Sequence, residues 1–386
     1  MALLKQSCVI VHEKLELTII LIGKSITLQQ ITPKHRPLAK AYAYCCGILA
    51  AMPVTMLDIA KGLNVSVVTV SKVLRNQGKI SAATRKRVLQ RAKKLNYQTN
   101  WIARSLVTRR TFTIGLLLPD FTHPFFAEVA KAVAETVRPH GYHVIISYFE
   151  EDPDLEKNEA DALMARQVDG LIAASAQSSS DLFEGILARK VPLVLIDRLI
   201  PGVPASFVGA DNEAIGKLAT NHLIAQGCTR IAHLRGPKIG IAFARMAGYR
   251  HALQKHDLAV TSRYIVGARY VDSSGYSAMR KLLQQPPIPD GVFCYNDPVA
   301  IGAMRAIAEA GLRIPQDIAV IGAGNVHYSD VLAVPLTTVD QGTVQIGRQA
   351  AELLMEQIGA KRKPRTRRVL ITPRLVVRQS TQRVSV

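Results

Sequence analysis

Val67, Val68, Thr69, Ser71, Lys72 and Arg75 are the side chains of this sequence whose types and spacing best suit contact with a nucleic acid. They fall on the outer side of one short helical segment. Hydroxyls can exchange hydrogen bonds with base edges, and Lys and Arg neutralise phosphates. The methyls of Val67 and Val68 fit the C5-methyl of thymine but cannot hydrogen-bond a base.

Two short helices must hold these groups. Met56, Ile59, Ala60 and Leu63 recur at three- and four-residue spacing and share one face of a first helix. Gly62 to Ser66 makes the turn, Ser66 caps the second helix, and Val70, Val73 and Leu74 give that helix a stripe to bury against the first. The result is a helix-turn-helix. A third helix is predicted from Ser81, its N-cap, to Asn96. Val88, Ala92 and Leu95 face inward there, and Arg85, Lys86, Arg87, Arg91, Lys93 and Lys94 stay outside. Residues 54–110 carry thirteen Lys or Arg against one acid, Asp58, which is +12 of the chain's +20. A charge run alone is more often a solvated face, and a bare helix-turn-helix pattern recurs by chance. Their coincidence points to nucleic acid.

VTMLDIAKGLNVSVVTVSKVL followed by KISAATRKRVLQRAKKLNYQTNWIARSL resembles the DNA-binding headpiece of the lactose-repressor/galactose-repressor (LacI/GalR) family of bacterial regulators, and the resemblance continues to near the C-terminus. It implies that Asn100 to Leu106 is a hinge helix that folds on operator DNA, pairs with its twin from a second subunit and inserts Leu106 into the minor groove. An apolar Leu106 beside Arg104, just ahead of Arg109 and Arg110, fits a wedge flanked by phosphate contacts. Thr99 stands where the family usually has proline, and bulky Trp101 precedes Ile102, so a less preorganised hinge is expected. The candidate DNA contacts are Thr55, Met56, Ser66, Val67, Val68, Thr69, Ser71, Lys72, Arg75, Lys79, Asn100, Ala103, Arg104 and Leu106.

From Thr111 onward, apolar strands alternate with amphipathic helices in two runs, the second beginning near FVGAD. Such alternation specifies parallel sheets with helices on both faces, in two lobes with a cleft at the strand C-termini. The expected fold is therefore an all-α helix-turn-helix headpiece followed by an α/β core of two doubly wound parallel-sheet lobes, which resembles the periplasmic-binding-protein-like core of the same family. A ligand belongs just after the strands. Phe125 and Phe126 follow the first strand as stacking walls, and His123 stands where the family commonly has asparagine. Asp197 with Arg198 follows VLI, Arg245 lies on a helix, and Asn296 with Asp297 ends another strand. The resemblance implies that positions matching Asp197, Arg245 and Asn296 or Asp297 bind a sugar or another small effector, or hold the cleft around it. Carboxylates and a guanidinium can bond vicinal hydroxyls while a ring covers the apolar sugar face. Asp297 ahead of Pro298 equally suits a helix cap, and Asp197 with Arg198 a surface pair. After IAVIG, where the family often has acids, this chain has Gly324 and Asn325, so no familiar sugar can be transferred. Asn325, His327 and Tyr328 become further candidates.

No GxSxG elbow, phosphate loop or HExxH occurs, and no enzymatic activity, metal or cofactor is expected. His143, His222 and His233 read as structural. Cys8, Cys45, Cys46, Cys228 and Cys294 show no paired framework, which suits a reducing cytoplasm, and the resemblance implies a bacterial, nucleoid-associated protein. The domain expectation is a poorly ordered extension outside the family pattern at 1–53, the helix-turn-helix domain at 54–99, the hinge and linker at 100–110 and the effector-binding and dimerisation core at 111–386. The apolar patches of the extension are too short to span a bilayer, so no membrane partner is expected. No heptad tail follows TPRLVVRQST, so the expected assembly is a homodimer on a near-palindromic double-stranded operator, with an effector whose sign of coupling is open. The alternative is a solute-binding sensor without specific DNA readout.

Overall fold

The computed structural model describes residues 7–12, 15–20, 54–74, 77–98, 105, 108–120, 122–360, 362 and 364–383. The chain divides into two compact units, 1–100 and 101–386.

In the first unit, β1 (Ser7–His12) and β2 (Leu15–Ile20) pair antiparallel, a ribbon that the expectation for 1–53 did not include. Three helices follow: α1 (Met56–Leu63), α2 (Val67–Leu74) and α3 (Ala82–Lys94). Thr55 caps α1 in a capping box with Asp58, each side chain bonding the other's backbone N–H. Asn64 ends α1 in the left-handed region, φ 52°, where asparagine is tolerated. Ile59, Ala60, Val70, Val73, Val88 and Ala92 bury their side chains together, with Met56, Leu63, Leu74 and Leu95 half-buried around them. That small core is the one expected from the spacing.

The second unit holds two six-stranded sheets. The first sheet is built from β3 (Thr113–Leu118), β4 (His143–Tyr148), β5 (Gly170–Ala173), β6 (Leu193–Ile196), β7 (Ser206–Ala210) and, from near the C-terminus, β13 (Arg368–Ile371), in the order β13-β7-β6-β5-β3-β4 and parallel throughout. Alternate residues go to opposite faces. Leu116 packs with α4 (Pro124–Val137) and α11 (Thr343–Gly359), and its neighbour Leu117 packs with α5 (Pro153–Ala165) and α6 (Asp181–Ala188). Helices on both faces are why these strands read as continuous apolar runs.

The second sheet contains β8 (Ile231–Arg235), β9 (Ile265–Gly267), β10 (Gly291–Cys294), β11 (Ala319–Ala323), β12 (Thr337–Asp340) and β14 (Arg374–Val376), ordered β14-β12-β11-β10-β8-β9. Two features depart from the sequence expectation. FVGAD forms β7 of the first sheet rather than opening the second, and the chain returns through β13 before ending in the second, so the lobes are not sequential halves. In addition, β14 pairs antiparallel with β12, so the second sheet is mixed. α7 (Asn212–Ala225) and α8 (Gly240–Lys255) cover one face of this sheet, and α9 (Asp272–Leu283) and α10 (Asp297–Glu309) the other. Gly216 of α7 and Gly248 of α8 each meet the partner helix's backbone where a Cβ would collide. This close crossing fixes α8, and with it Arg245.

Candidate functional site

Two places carry the expected chemistry. In the headpiece, Ser66 Oγ accepts from Thr69 N–H at 3.0 Å and so caps α2, which leaves Val67, Val68 and Lys72 exposed, with Val68 61% accessible. Thr69 and Ser71 are half-buried beside them, Lys79 is exposed in the following loop, and Met56 is half-buried against the core. Thr55 is exposed and committed to its capping box. Arg75, Asn100, Ala103, Arg104 and Leu106, and with them most of the expected hinge, lie outside the described residues. On α3, Arg85 and Arg91 are half-buried rather than free. The Arg91 guanidinium packs against Gly62, where a side chain would have to displace it.

In the core, the strand C-termini converge on a cavity of about 1090 Å³ between the lobes. From the first lobe it is lined by His123, Phe125, Phe126, Glu151, Asp197 and Arg198, and from the second by Arg245, Tyr270, Tyr295, Asn296, Gly324 and Gln341. Asp197 follows β6 at φ 62°, in a bend closed by Arg198 N–H donating to Ile196 O. A non-glycine residue held there stores strain, a frequent feature of ligand sites. Burial pushes the Asp197 carboxyl up, against the lowering pull of Arg198 and Arg245. Arg198 is no surface pair. It is buried and grips Glu151 through Nη1 and Nη2 at 2.6 and 2.5 Å, while its Nε stays 3.8 Å from Asp197 without a hydrogen bond. Arg245, 3% exposed, donates to Asn212 Oδ1 at 2.9 Å, Gln341 Oε1 at 2.8 Å and Tyr295 O, and lies over the Tyr295 ring. Three acceptors fix its plane toward the cavity.

Asn296 and Asp297 separate sharply. Asn296 lines the cavity and caps α10, its Oδ1 accepting from Val299 N–H at 2.9 Å. Asp297 does neither: fully buried, it accepts from Val326 N–H at 2.9 Å, Ser329 Oγ at 3.3 Å and Thr338 Oγ1 at 2.6 Å. Asp297 is a latch for the loop after β11, and glycine at 322 leaves room for its carboxylate. Asn325 is likewise a correction, because its Oδ1 accepts from Arg378 at 2.9 Å and the residue does not line the cavity, nor do His327 and Tyr328. Phe125 and Phe126 are each 6% exposed and mainly core, stacked edge to face, so they offer ring edges rather than open faces. Sequence reasoning passed over Glu151, Tyr270, Tyr295 and Gln341. Each follows a strand end, the one signal that could have found them.

His233 is structural as expected, stacked between Phe293 and Tyr249 with Nδ1 on Phe293 O at 3.0 Å. Cys228 and Cys294 are buried and unpaired, and burial pushes the Cys228 thiol up to about 12. Among the described residues no cluster of three metal-ligating side chains occurs, and no helix is long and apolar enough to cross a membrane.

Residues 55–100 match the family described as bacterial regulatory proteins, lacI family, and residues 220–381 match the periplasmic binding protein-like domain. The ribose operon repressor of Halalkalibacterium halodurans is 37% identical over 331 residues, covering 85% of this chain and 97% of the relative. This chain belongs to the LacI family of bacterial transcriptional regulators. The HTH-type transcriptional repressor PurR of Histophilus somni is 34% identical over 330 residues, 85% of this chain and 99% of that one. Among solved structures, the lac repressor dimer bound to operator and the anti-inducer ONPF aligns with a TM-score of 0.76 at 27% identity, over 85% of this chain and 99% of that one. The transcriptional regulator CelR in complex with cellobiose aligns with a TM-score of 0.64 at 29% identity, with the same coverage. As a LacI-family member the chain is a DNA-binding transcriptional regulator with an effector-binding core, and its relatives are repressors rather than enzymes.

Proposed function

We propose that this regulator is a homodimeric repressor, working at the nucleoid in the cytoplasm, that reads a near-palindromic operator. Val67, Val68, Thr69, Ser71, Lys72 and Arg75 face the major groove, Thr55, Met56, Ser66 and Lys79 contact its margins, and the paired hinge segments containing Asn100, Ala103, Arg104 and Leu106 open the minor groove between half-sites. A small sugar-like metabolite closes the interlobe cleft and changes hinge spacing, and so operator affinity.

The observation that carries this reading is the pairing, in one chain, of an exposed valine-and-lysine helix face with a cleft where carboxylate, guanidinium and amide converge among tyrosines. Asp197, Arg245 and Asn296 alternate acceptor and donor, as vicinal hydroxyls require, with Tyr270 and Tyr295 beside them. Relatives named for ribose and cellobiose support the ligand class.

The test is binding of the purified chain, at near-physiological salt, to duplexes selected from random sequence, against scrambled duplexes of equal length. The expected preference is a thousandfold or more, shifted by one of a panel of pentoses, hexoses, cellobiose and purine bases. Equal, salt-sensitive binding to both duplexes overturns the repressor reading and favours a solute-binding sensor.

A further inference from the structure

We infer that the core carries a second DNA-contacting surface of its own, a basic patch at Arg362 and Arg365 that grips phosphates flanking the operator. Residues 361–368 read KRKPRTRR, six cations and no acid. Residues 111–386 contain thirty Lys or Arg and twenty-six acids, net +4, so the core is net −2 outside this run. Within the core, positive charge is therefore focused in this one run, which the groove reading of the headpiece does not explain. Runs of this density are recurrent nucleic-acid patches.

Its position selects the partner. Because every strand of the first sheet is parallel, the N-terminal ends of β3 and β13 lie at the same end of the lobe. The chain arrives from the headpiece at the first of these ends and the basic run precedes the second. Side-chain contacts fix the arrival point: Arg110 donates to Ile358 O at the C-terminus of α11 at 3.0 Å, and Asp169 accepts from Thr111 N–H and Phe112 N–H at 2.9 Å each. Arg362 is four residues past Ile358, at most about 14 Å of chain. Arg362 and Arg365 thus belong to the same end of the lobe as Arg110 and Thr111, where the chain enters it.

Within the run the roles divide. Arg367 pairs with Glu356, and Arg368 lies over the Phe207 ring. Arg362 and Arg365 are exposed and make no ion pair with another described residue. Charges farther apart than about 8 Å are screened at physiological salt, so these two act only by direct phosphate contact. Each such contact adds about 0.9 to the salt slope on a duplex.

The inference rests on the DNA-binding reading above, and the experiment separates the two. The probes are a 20-base-pair duplex selected from random sequence with the full-length chain and a 50-base-pair duplex with the same centre, compared for the wild-type chain and R362Q/R365Q. The expected result is unchanged affinity of the variant for the short duplex but a loss of about tenfold on the long one, with a salt slope shallower by roughly 2 to 4 per dimer. Equal behaviour of wild type and variant on both lengths overturns the inference while leaving the repressor reading intact. Failure of the wild-type chain to select any short sequence overturns the repressor reading itself.

Discussion

Asn296 and His123 meet across the interlobe cleft, Asn296 Nδ2 lying 3.1 Å from His123 Nε2, with one residue contributed by each lobe. Asn296 Oδ1 is committed as the cap of Val299 N–H, so its amide nitrogen is a donor, shared between His123 and Tyr270 O. Phe125 N–H approaches His123 Nδ1 at 3.3 Å. A neutral imidazole has one acceptor nitrogen and cannot satisfy both donors fully. A protonated ring satisfies neither. This agrees with a His123 pKa pushed down to about 4, mainly by burial.

Asn296→Asp keeps the cap acceptor but places a carboxylate against His123. The expected outcome is a rise in the His123 pKa from about 4, because an opposite charge favours the imidazolium. An NMR titration checks it, and an unmoved pKa would show that the two side chains do not meet in solution.

The two aspartates of the cleft region have opposite expected phenotypes. Asp297→Asn leaves three buried donors facing an amide and should cost roughly 2 to 4 kcal/mol of stability. Asp197→Asn should change stability by less than about 1 kcal/mol yet weaken effector binding tenfold or more, the loss of a charge-assisted hydrogen bond. Denaturant melts and calorimetric titration separate them. Equal effects on both quantities would contradict the division between latch and ligand contact.

On the headpiece, Val68→Asn should move base preference at one position of each half-site, with about 1 to 3 kcal/mol of discrimination redistributed. Lys72→Ala should weaken all sequences alike and reduce the salt slope by about 1 for every phosphate that the lysine neutralises. Selection of bound sequences for Val68→Asn, and salt titrations for Lys72→Ala, distinguish base readout from phosphate binding.

His233 sets an acid limit on stability. Burial holds its pKa at about 4, below the unfolded value near 6.5, so the unfolded chain binds the extra proton first. Its contribution is complete above pH 6.5 and is lost as pH falls toward 4, by up to roughly 3 kcal/mol. His233→Phe preserves the stack on Phe293 and Tyr249, and its melting temperature should fall less steeply between pH 6.5 and 4. A slope equal to wild type would assign the acid sensitivity elsewhere.

The headpiece was legible in the sequence because its information is local. Helical spacing put Ile59, Ala60, Val70 and Val73 inward, Ser66 and Ser81 capped as expected, and Val67 and Val68 were left exposed. The alternation of strands and helices likewise specified parallel sheets and placed Asp197, Arg245 and Asn296 at the cleft.

Tertiary structure decided what depends on residues far apart in the chain. Pattern cannot reveal that β13 crosses back to the first sheet, because a buried apolar run fits either lobe equally well. Nor could neighbouring residues show that Asn296 turns to the cavity while Asp297 turns to Val326 and Thr338, or that Arg378 claims Asn325. A side chain's composition states which hydrogen bonds it can make. Which it does make is settled by the partners the fold brings within 3 Å, as Glu151 is brought to Arg198 from 47 residues away.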